Sequence, residues 1–481
     1  MAESRGAKSS HYEKQHPRIN KPDMFMNTAL MMERSPQAER PNSFVPESRN
    51  QEDEVQTRYK DLSALGKPAT QESVQRDENE PRKCNKSGAV VVLPNDRALS
   101  VDCSQDGVHA AVSALNKFGQ ERAKGCQVYL SRRPCSYCAK LLVQCELAKV
   151  YYLPIEPELN DKEDVQRVDK LFKASSTGLS VFIPKVSENV IKGVKERRSP
   201  FLGSARPNED AINEYKRKLI DEYWSEEWVR KAGYDLEWPA FDKKMHYQTQ
   251  KDMYNLMEWI ARATIGDVPD SVFVEIDPYT LEGVYFKTAA QSDIGDKTLV
   301  TEDSESIPII PTPNEPSWQG HALHMVRMAQ MLSQRSDDPS KPVGCILMVH
   351  GEVVAIGWNG FPAKALYGEF PRASTADQGA IEKKEPYVIH AEQNALLTRN
   401  KRNMNHKSSI LYSNKVPCGE CVPLLIQAGV TNVVVPCEPL QDDPENKAFL
   451  AALRKGKLKG YWPARHNEEV EGRSRKLVME S

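Results

Sequence analysis

The chain has 481 residues, 39% hydrophobic and 27% charged, with 65 basic against 67 acidic side chains and a formal net charge of −2. That length exceeds one hydrophobic core and, at roughly 150 residues per domain, implies two to three domains. No run approaches the ~18 apolar residues of a membrane helix, the opening MAESRGAKSSHYEKQ has no apolar signal core, and the balanced charge argues against a general polynucleotide binder while permitting a small anionic substrate.

Residues 1–83 are rich in Ser, Glu, Arg, Asn, Gln and Pro, and their large apolar residues (Phe25, Leu30, Phe44, Val55) stand isolated. That composition predicts a disordered N-terminal region with no face to bury. Within it, residues 26–34 read at most as a short helix docked on a partner. A first domain is expected over 84–185. Gly88–Leu93 reads as a buried strand, Asn95-Asp96 as a turn and Ala98–Asp102 as the hairpin partner. Then come a helix over His109–Phe118, a strand over Gln127–Leu130, a helix from Pro134 to Cys145 and a strand over Lys149–Leu153. A helix near 162–174 and a strand at 179–183 complete the unit.

Residues 186–316 read as a helical, proline-rich linker region, with helical patterns over Asn208–Trp228 and Lys244–Ala263. Trp224, Trp228, Trp238 and Trp259 fit packing against the two neighbouring cores, with nucleobase stacking as the alternative. Lys192–Arg198 followed by Tyr215–Lys218 has the form of a bipartite nuclear import signal over 192–218, and equally that of a solvated helix face. A cytoplasmic location, with nuclear entry under the signal reading, is the expectation.

A second domain over 317–455 repeats the element order, and 456–481 reads as a charged tail. His321–Gln334 has helical spacing, Val343–Val349 and Glu352–Ile356 form a hairpin around His350-Gly351, and His390–Thr398 is a helix. Ser409–Ser413 reads as a strand, Cys418–Ala428 as a helix and Asn432–Pro436 as a strand. His109, Cys135 and Cys138 recur as His390, Cys418 and Cys421 at offsets of 281, 283 and 283 residues. A near-constant offset over several elements marks an internal duplication.

Ten cysteines without a signal sequence point to a reducing compartment, where thiols bind metal or fill cores. Six of them (Cys84, Cys103, Cys126, Cys145, Cys345, Cys437) read as core or surface thiols. The other four form the C-x-x-C pairs Cys135/Cys138 and Cys418/Cys421. In the second copy, Cys418 and Cys421 at a helix start, with His390 at another, supply the three protein ligands of a catalytic zinc whose fourth position is open. Glu392, two positions after His390, lies on a different helix face and suits a proton shuttle better than a fourth ligand. A structural zinc knuckle is the competing reading, but no fourth Cys or His stands at a comparable remove. The first copy keeps His109, Cys135 and Cys138 and has Ala111 at the degenerate catalytic position, so it is expected to bind zinc without deaminating.

Ser336-Asp-Asp-Pro-Ser340, Val343-Gly344, Gly357-Trp-Asn-Gly-Phe-Pro362, Tyr387, His390-Ala-Glu-Gln-Asn-Ala395 and Pro417-Cys-Gly-Glu-Cys421 together resemble the deoxycytidylate (dCMP) deaminases of the cytidine deaminase superfamily. The resemblance covers the second copy; the first is similar only through its zinc residues and element order. It implies an α/β fold: two copies of a three-layer α/β/α unit with a mixed central sheet. It also implies Zn2+ in the catalytic copy and one in the degenerate copy, and hydrolysis of a deoxycytidine nucleotide, with dCTP to dUTP and ammonia favoured. dCMP, or deoxycytidine or cytidine, is the alternative substrate. Carried over by position, His390, Cys418 and Cys421 hold zinc, Glu392 shuttles protons, Asn359 contacts the sugar, Phe361 walls the base and the backbone at Ala391 fixes its carbonyl. For the phosphates, Lys341, Arg335 and Arg372 lie near the expected mouth, each more readily read as a solvated charge. The family also implies a homo-oligomer, although the duplication offers a neighbour within one chain.

Two rivals share some of these residues. A polynucleotide-editing deaminase would need a basic groove and exposed aromatics, which the balanced charge does not favour. A non-enzymatic scaffold would leave Glu392 without a use.

Overall fold

A computed structural model of the chain describes residues 18–43, 83–196, 207–224, 243–266, 268–277, 279, 283–284, 316–338, 341–362, 387–401 and 409–463. Trp228, Trp238, Arg197, Arg198, Arg372, the 307–315 proline run and the end of the tail lie outside the described residues.

The first element is a helix, α1 (Lys21–Glu33), capped by the Asn20 side chain accepting from the Asp23 N–H at 2.8 Å. Every residue from Asp23 to Glu33 is buried. This corrects the expectation of disorder over 1–83 for that stretch. The helix has no polar face because it is covered on all sides, so amphipathic spacing never signals it. Phe25 stands 5.6 Å from Tyr129 and 6.5 Å from Trp358, ring centre to ring centre, which joins the two halves of the chain.

Strands β1 (Gly88–Val92) and β2 (Ala98–Cys103) follow, then α2 (Ala110–Asn116), α3 (Gly119–Ala123), β3 (Gln127–Leu130), α4 (Ser136–Gln144), β4 (Lys149–Tyr152), α5 (Lys162–Lys173) and β5 (Gly178–Val181). They make a five-stranded sheet in the order β2-β1-β3-β4-β5. β1 is antiparallel to both β2 and β3, and β3, β4 and β5 run parallel. The parallel pairs need crossover helices, which α4 and α5 supply.

The middle region holds α6 (Glu188–Glu196), α7 (Glu209–Tyr223), α8 (Lys243–Ala261) with a π-helical end at Arg262–Gly266, and strands β6 (Phe273–Ile276) and β7 (Gly283–Val284). The second copy then runs α9 (Pro316–Ser333), β8 (Gly344–Val349), β9 (Glu352–Trp358), α10 (Ala391–Thr398), β10 (Ser409–Ser413), α11 (Cys421–Ala428), β11 (Asn432–Val434), α12 (Lys447–Arg454) and β12 (Lys459–Pro463). Its sheet has the order β7-β6-β12-β11-β10-β8-β9. Read from β9 to β12, strand order and directions repeat those of the first sheet.

Two expectations need revision. The middle region is more than a linker, because β6 pairs antiparallel with β12 and extends the second sheet. The charged tail begins later than residue 456, because Tyr461 and Trp462 of β12 are buried. Charge at Lys455, Lys457 and Lys459 hides a short strand in which Gly460, Tyr461 and Trp462 are all buried, Tyr461 in the shared core and Trp462 in the outer one.

One shared core joins Phe25, Val90 and Tyr129 of the first copy, Trp224 and Trp259 of the middle region, and Met325, Met348 and Tyr412 of the second copy. Both tryptophans are therefore packing residues. Each copy also has an outer core, around Ala111, Leu142 and Phe172 in the first and Ala395, Leu425 and Phe449 in the second. The result is helix, sheet, helix in each copy. The 192–218 lysines sit on helix surfaces beside acids, with Lys216 to Glu258 at 2.9 Å and Lys218 to Glu214 at 2.7 Å. No helix among the described residues is long and apolar enough to cross a membrane.

Candidate active site and its closed twin

In the second copy, β9 presses on α10 so tightly that a Cβ on Gly357 would lie 2.2 Å from the Ala391 carbonyl oxygen. Only a residue without a side chain permits that approach. The start of α10 is held there, with His390 as its N-cap and the Gln393 side chain accepting from the His390 N–H at 3.0 Å. Gly360 and Ile389 exchange backbone bonds of 3.0 and 2.8 Å, so the Asn359–Phe361 loop is tied to the residue before His390.

Cys421 opens α11, and Cys418 precedes it with its carbonyl accepting from the Cys421 and Val422 N–H groups. His390 Nδ1 lies 3.3 Å from both Sγ atoms. Glu392 is buried, with Oε2 accepting from Cys421 Sγ at 3.5 Å. Three donors thus face one point, with a carboxylate beside them and a half-buried opening at His390 and Cys418. A soft Cys2His set suits zinc.

The two thiols are hydrogen-bonded to each other. The hydrogen bond from Cys421, reinforced by His390, pulls Cys418 down to about 3, and the same bond pushes Cys421 up. A cation would take the place of the proton in that bond. Burial raises the Glu392 carboxyl above its ordinary value, in spite of a backbone hydrogen bond and nearby His390.

The remaining expected residues fall around this point. Ala391 is fully buried and Phe361 half-buried. The Asn359 amide is engaged in the fold: Oδ1 accepts from Val343 N–H at 2.8 Å and Ser336 Oγ at 2.5 Å, and Nδ2 donates to the Lys341 carbonyl at 2.8 Å. It anchors the loop that leads into β8. Lys341 is exposed and pairs with Glu445 at 3.2 Å. Lys415, not singled out in the sequence, pairs with the same carboxylate at 2.7 Å and lies near enough to Glu392 and Cys418 to be influenced by both charges. Arg335 carries buried Nε and Nη1 atoms with no hydrogen-bond partner among the described residues, beside Arg18.

In the first copy the same donors converge differently. His109 caps α2, Cys135 caps α4 and Cys138 lies one turn on. Glu158, from the loop between β4 and α5, joins them to make a four-residue cluster. Its Oε1 stands 3.0 Å from His109 Nδ1, and its Oε2 accepts from the Cys135 N–H at 3.0 Å. Nothing in the C-x-x-C motif points to Glu158, because the loop that carries it is placed by the sheet crossover. All four residues are buried.

These features define the class: an α/β/α unit, present twice, with a Cys2His metal centre and a neighbouring carboxylate in the second copy. The chain matches the description "Cytidine and deoxycytidylate deaminase zinc-binding region" over residues 69–154 and 320–437. It is 36% identical over 126 residues to deoxycytidylate deaminase of Mus musculus, spanning 26% of this chain and 69% of that enzyme. The chain belongs to the cytidine and deoxycytidylate deaminase family. Along more of its length it is similar to the Danio rerio "Cytidine and dCMP deaminase domain-containing protein 1", at 25% identity over 413 residues, 77% of this chain and 81% of that protein. The apo dCMP deaminase of cyanophage S-TIM5 is 26% identical, with 30% of this chain and 97% of that one covered and a TM-score of 0.22.

Proposed function

We propose that the second copy hydrolyses the cytosine of a deoxycytidine nucleotide to uracil and ammonia, with dCTP the favoured substrate and dCMP or the nucleoside the alternative. The observation that carries this reading is the buried Glu392 carboxylate beside a three-donor cluster that is open on one side. His390, Cys418 and Cys421 would hold zinc. Zinc bound there supplies Lewis acidity, which brings a water pKa down to about 7.

Glu392 takes one proton of the attacking water and delivers it to ring N3, then takes the proton of the resulting C4 hydroxyl and delivers it to the departing amino nitrogen. The C4–N bond breaks, ammonia leaves and C4 keeps the oxygen. The Ala391 backbone and Phe361 bound the base, and the loop pinned by Asn359 bounds the sugar. A phosphorylated substrate is supported by Lys415, a cation close enough to the centre to feel Glu392 and Cys418. The first copy serves as scaffold, with Ala111 where the proton carrier would stand. The domain limits that go with this reading are 84–185, supplemented by α1, and 317–455, extended through β12 to residue 463.

The test offers the purified full chain dCMP, dCTP, CTP and deoxycytidine in parallel, with Glu392→Gln as control. The expected result is turnover of a deoxynucleotide, highest for dCTP, and a fall in kcat of at least about 10²–10⁴-fold in the variant. Wild-type turnover by E392Q would remove Glu392 from the chemistry. Turnover of deoxycytidine alone would overturn the nucleotide assignment.

A further inference from the structure

The two metal clusters differ in how they end. In the second, none of the acids of the loop after β11 (Glu438, Asp442, Asp443 and Glu445) joins the metal cluster, and Glu445 pairs with Lys341 and Lys415. In the first, the loop after β4 folds Glu158 inward. Its backbone is held at both groups, with N–H donating to the Arg133 carbonyl at 2.9 Å and the carbonyl accepting from Asn85 N–H at 2.7 Å. Its carboxylate is held at both oxygens, with Ser87 Oγ donating to Oε1 at 2.9 Å and Cys135 N–H to Oε2 at 3.0 Å.

The cover continues on the other side. His109 Nε2 donates to the Asn42 carbonyl at 3.2 Å, and Asn42 forms a bridge with Lys83. Cys84 N–H donates to the Pro41 carbonyl at 2.8 Å. The connections before β1 therefore cover the first cluster, whereas in the second His390 and Cys418 are only half-buried. His109 is 0% exposed, Cys135 1%, Cys138 0% and Glu158 3%.

We propose that the first copy holds a closed, four-donor structural zinc site, with Glu158 as the fourth protein ligand in the place that a catalytic site reserves for water. The inference rests on the zinc reading of both copies and is independent of the substrate. Four protein ligands and no open position are what distinguish structural from catalytic zinc. Glu158 is fixed by its own hydrogen-bonded shell, as a ligand should be. A metal there clamps together three stretches, the N-termini of α2 and α4 and the loop after β4, and the segment after α1 is tied on through the His109–Asn42 hydrogen bond. The alternative, that Glu158 replaces the missing proton carrier, conflicts with the burial of all four groups, which leaves none of them accessible to a substrate.

The experiment uses the full chain with Cys418→Ser and Cys421→Ser to remove the second site, loaded with zinc or with cobalt as a spectroscopic probe. The expected result is about one equivalent of metal surviving brief EDTA treatment, and a tetrahedral cobalt spectrum that added azide leaves unchanged. Glu158→Gln should weaken zinc binding by at least about ten- to a hundredfold. Glu158→Ala should make the cobalt spectrum respond to azide, and Glu158→His should restore a closed site if the alanine variant fails to fold.

An azide-responsive parent, an E158Q variant with unchanged affinity and spectrum, or deamination by this parent would each overturn the inference. Absence of metal in this parent also overturns it. The complementary Cys135→Ser, Cys138→Ser chain, still metal-loaded and active, would show that the proposed function stands without it.

Discussion

Two histidines on α9 carry a pH signature in the stability of the fold. His321 is buried next to Met348 Sδ, and burial pushes its pKa down to about 4. His324 is half-buried where α9 meets α1, with Nε2–H donating to the Met31 carbonyl at 2.9 Å and a pKa pushed down by burial to about 3. Both stay neutral in the folded chain through pH values where an unfolded histidine, near 6.5, takes up a proton. The unfolded state then binds more protons, so stability falls as pH drops below about 6.5, by up to about 1.4 kcal/mol per unit for each histidine. Urea midpoints at pH 7 and pH 5 should show that loss. His324→Gln, which keeps a donor but cannot titrate, should flatten it; an identical slope in the variant would exclude His324 as a source.

At the scale of elements, the same contact is built twice. A Cβ on Gly88 of β1 would lie 1.9 Å from the Ala29 carbonyl oxygen of α1, and one on Gly344 of β8 would lie 2.2 Å from that of Ala329 in α9. Helix α1 is thus to the first sheet what α9 is to the second, although 54 residues separate α1 from β1 and only 10 separate α9 from β8. The offending atoms are backbone, which cannot swing aside as a side chain could. Gly88→Ala or Gly344→Ala should each cost roughly 1–3 kcal/mol or more, read as a lower denaturant midpoint. A wild-type midpoint for both would mean the helices are free to shift.

For the whole molecule, α1 decides whether the first copy is a domain at all. It buries Met24, Phe25, Met26, Leu30, Met31 and Met32. At about 1.5–3 kcal/mol each, those side chains rival the roughly 5–15 kcal/mol net stability of an ordinary domain. They lie in the core that also holds Met325, Met348 and Tyr412, so the loss would reach the catalytic copy. Deleting residues 1–43 should therefore give an insoluble or partly unfolded chain by circular dichroism and proteolysis. A truncated protein that melts like the full chain would show that the helix is an accessory.

Short-range patterns carried much of this protein into view. Alternating and continuous apolar runs revealed most strands of both sheets, and His390, Glu392, Cys418 and Cys421 could be grouped because a helix start imposes fixed spacing on donors. Tertiary structure alone decided what depends on distant segments meeting. Helix α1 has no polar side to betray it, β12 is short and charged at its start, and β6 is a strand only because β12 offers it an edge. Glu158 reaches the first metal cluster because a crossover loop turns inward, and no local spacing encodes that turn. The motif thus determined which atoms could bind a metal, while the packing of the chain determined which of the two sites was left open.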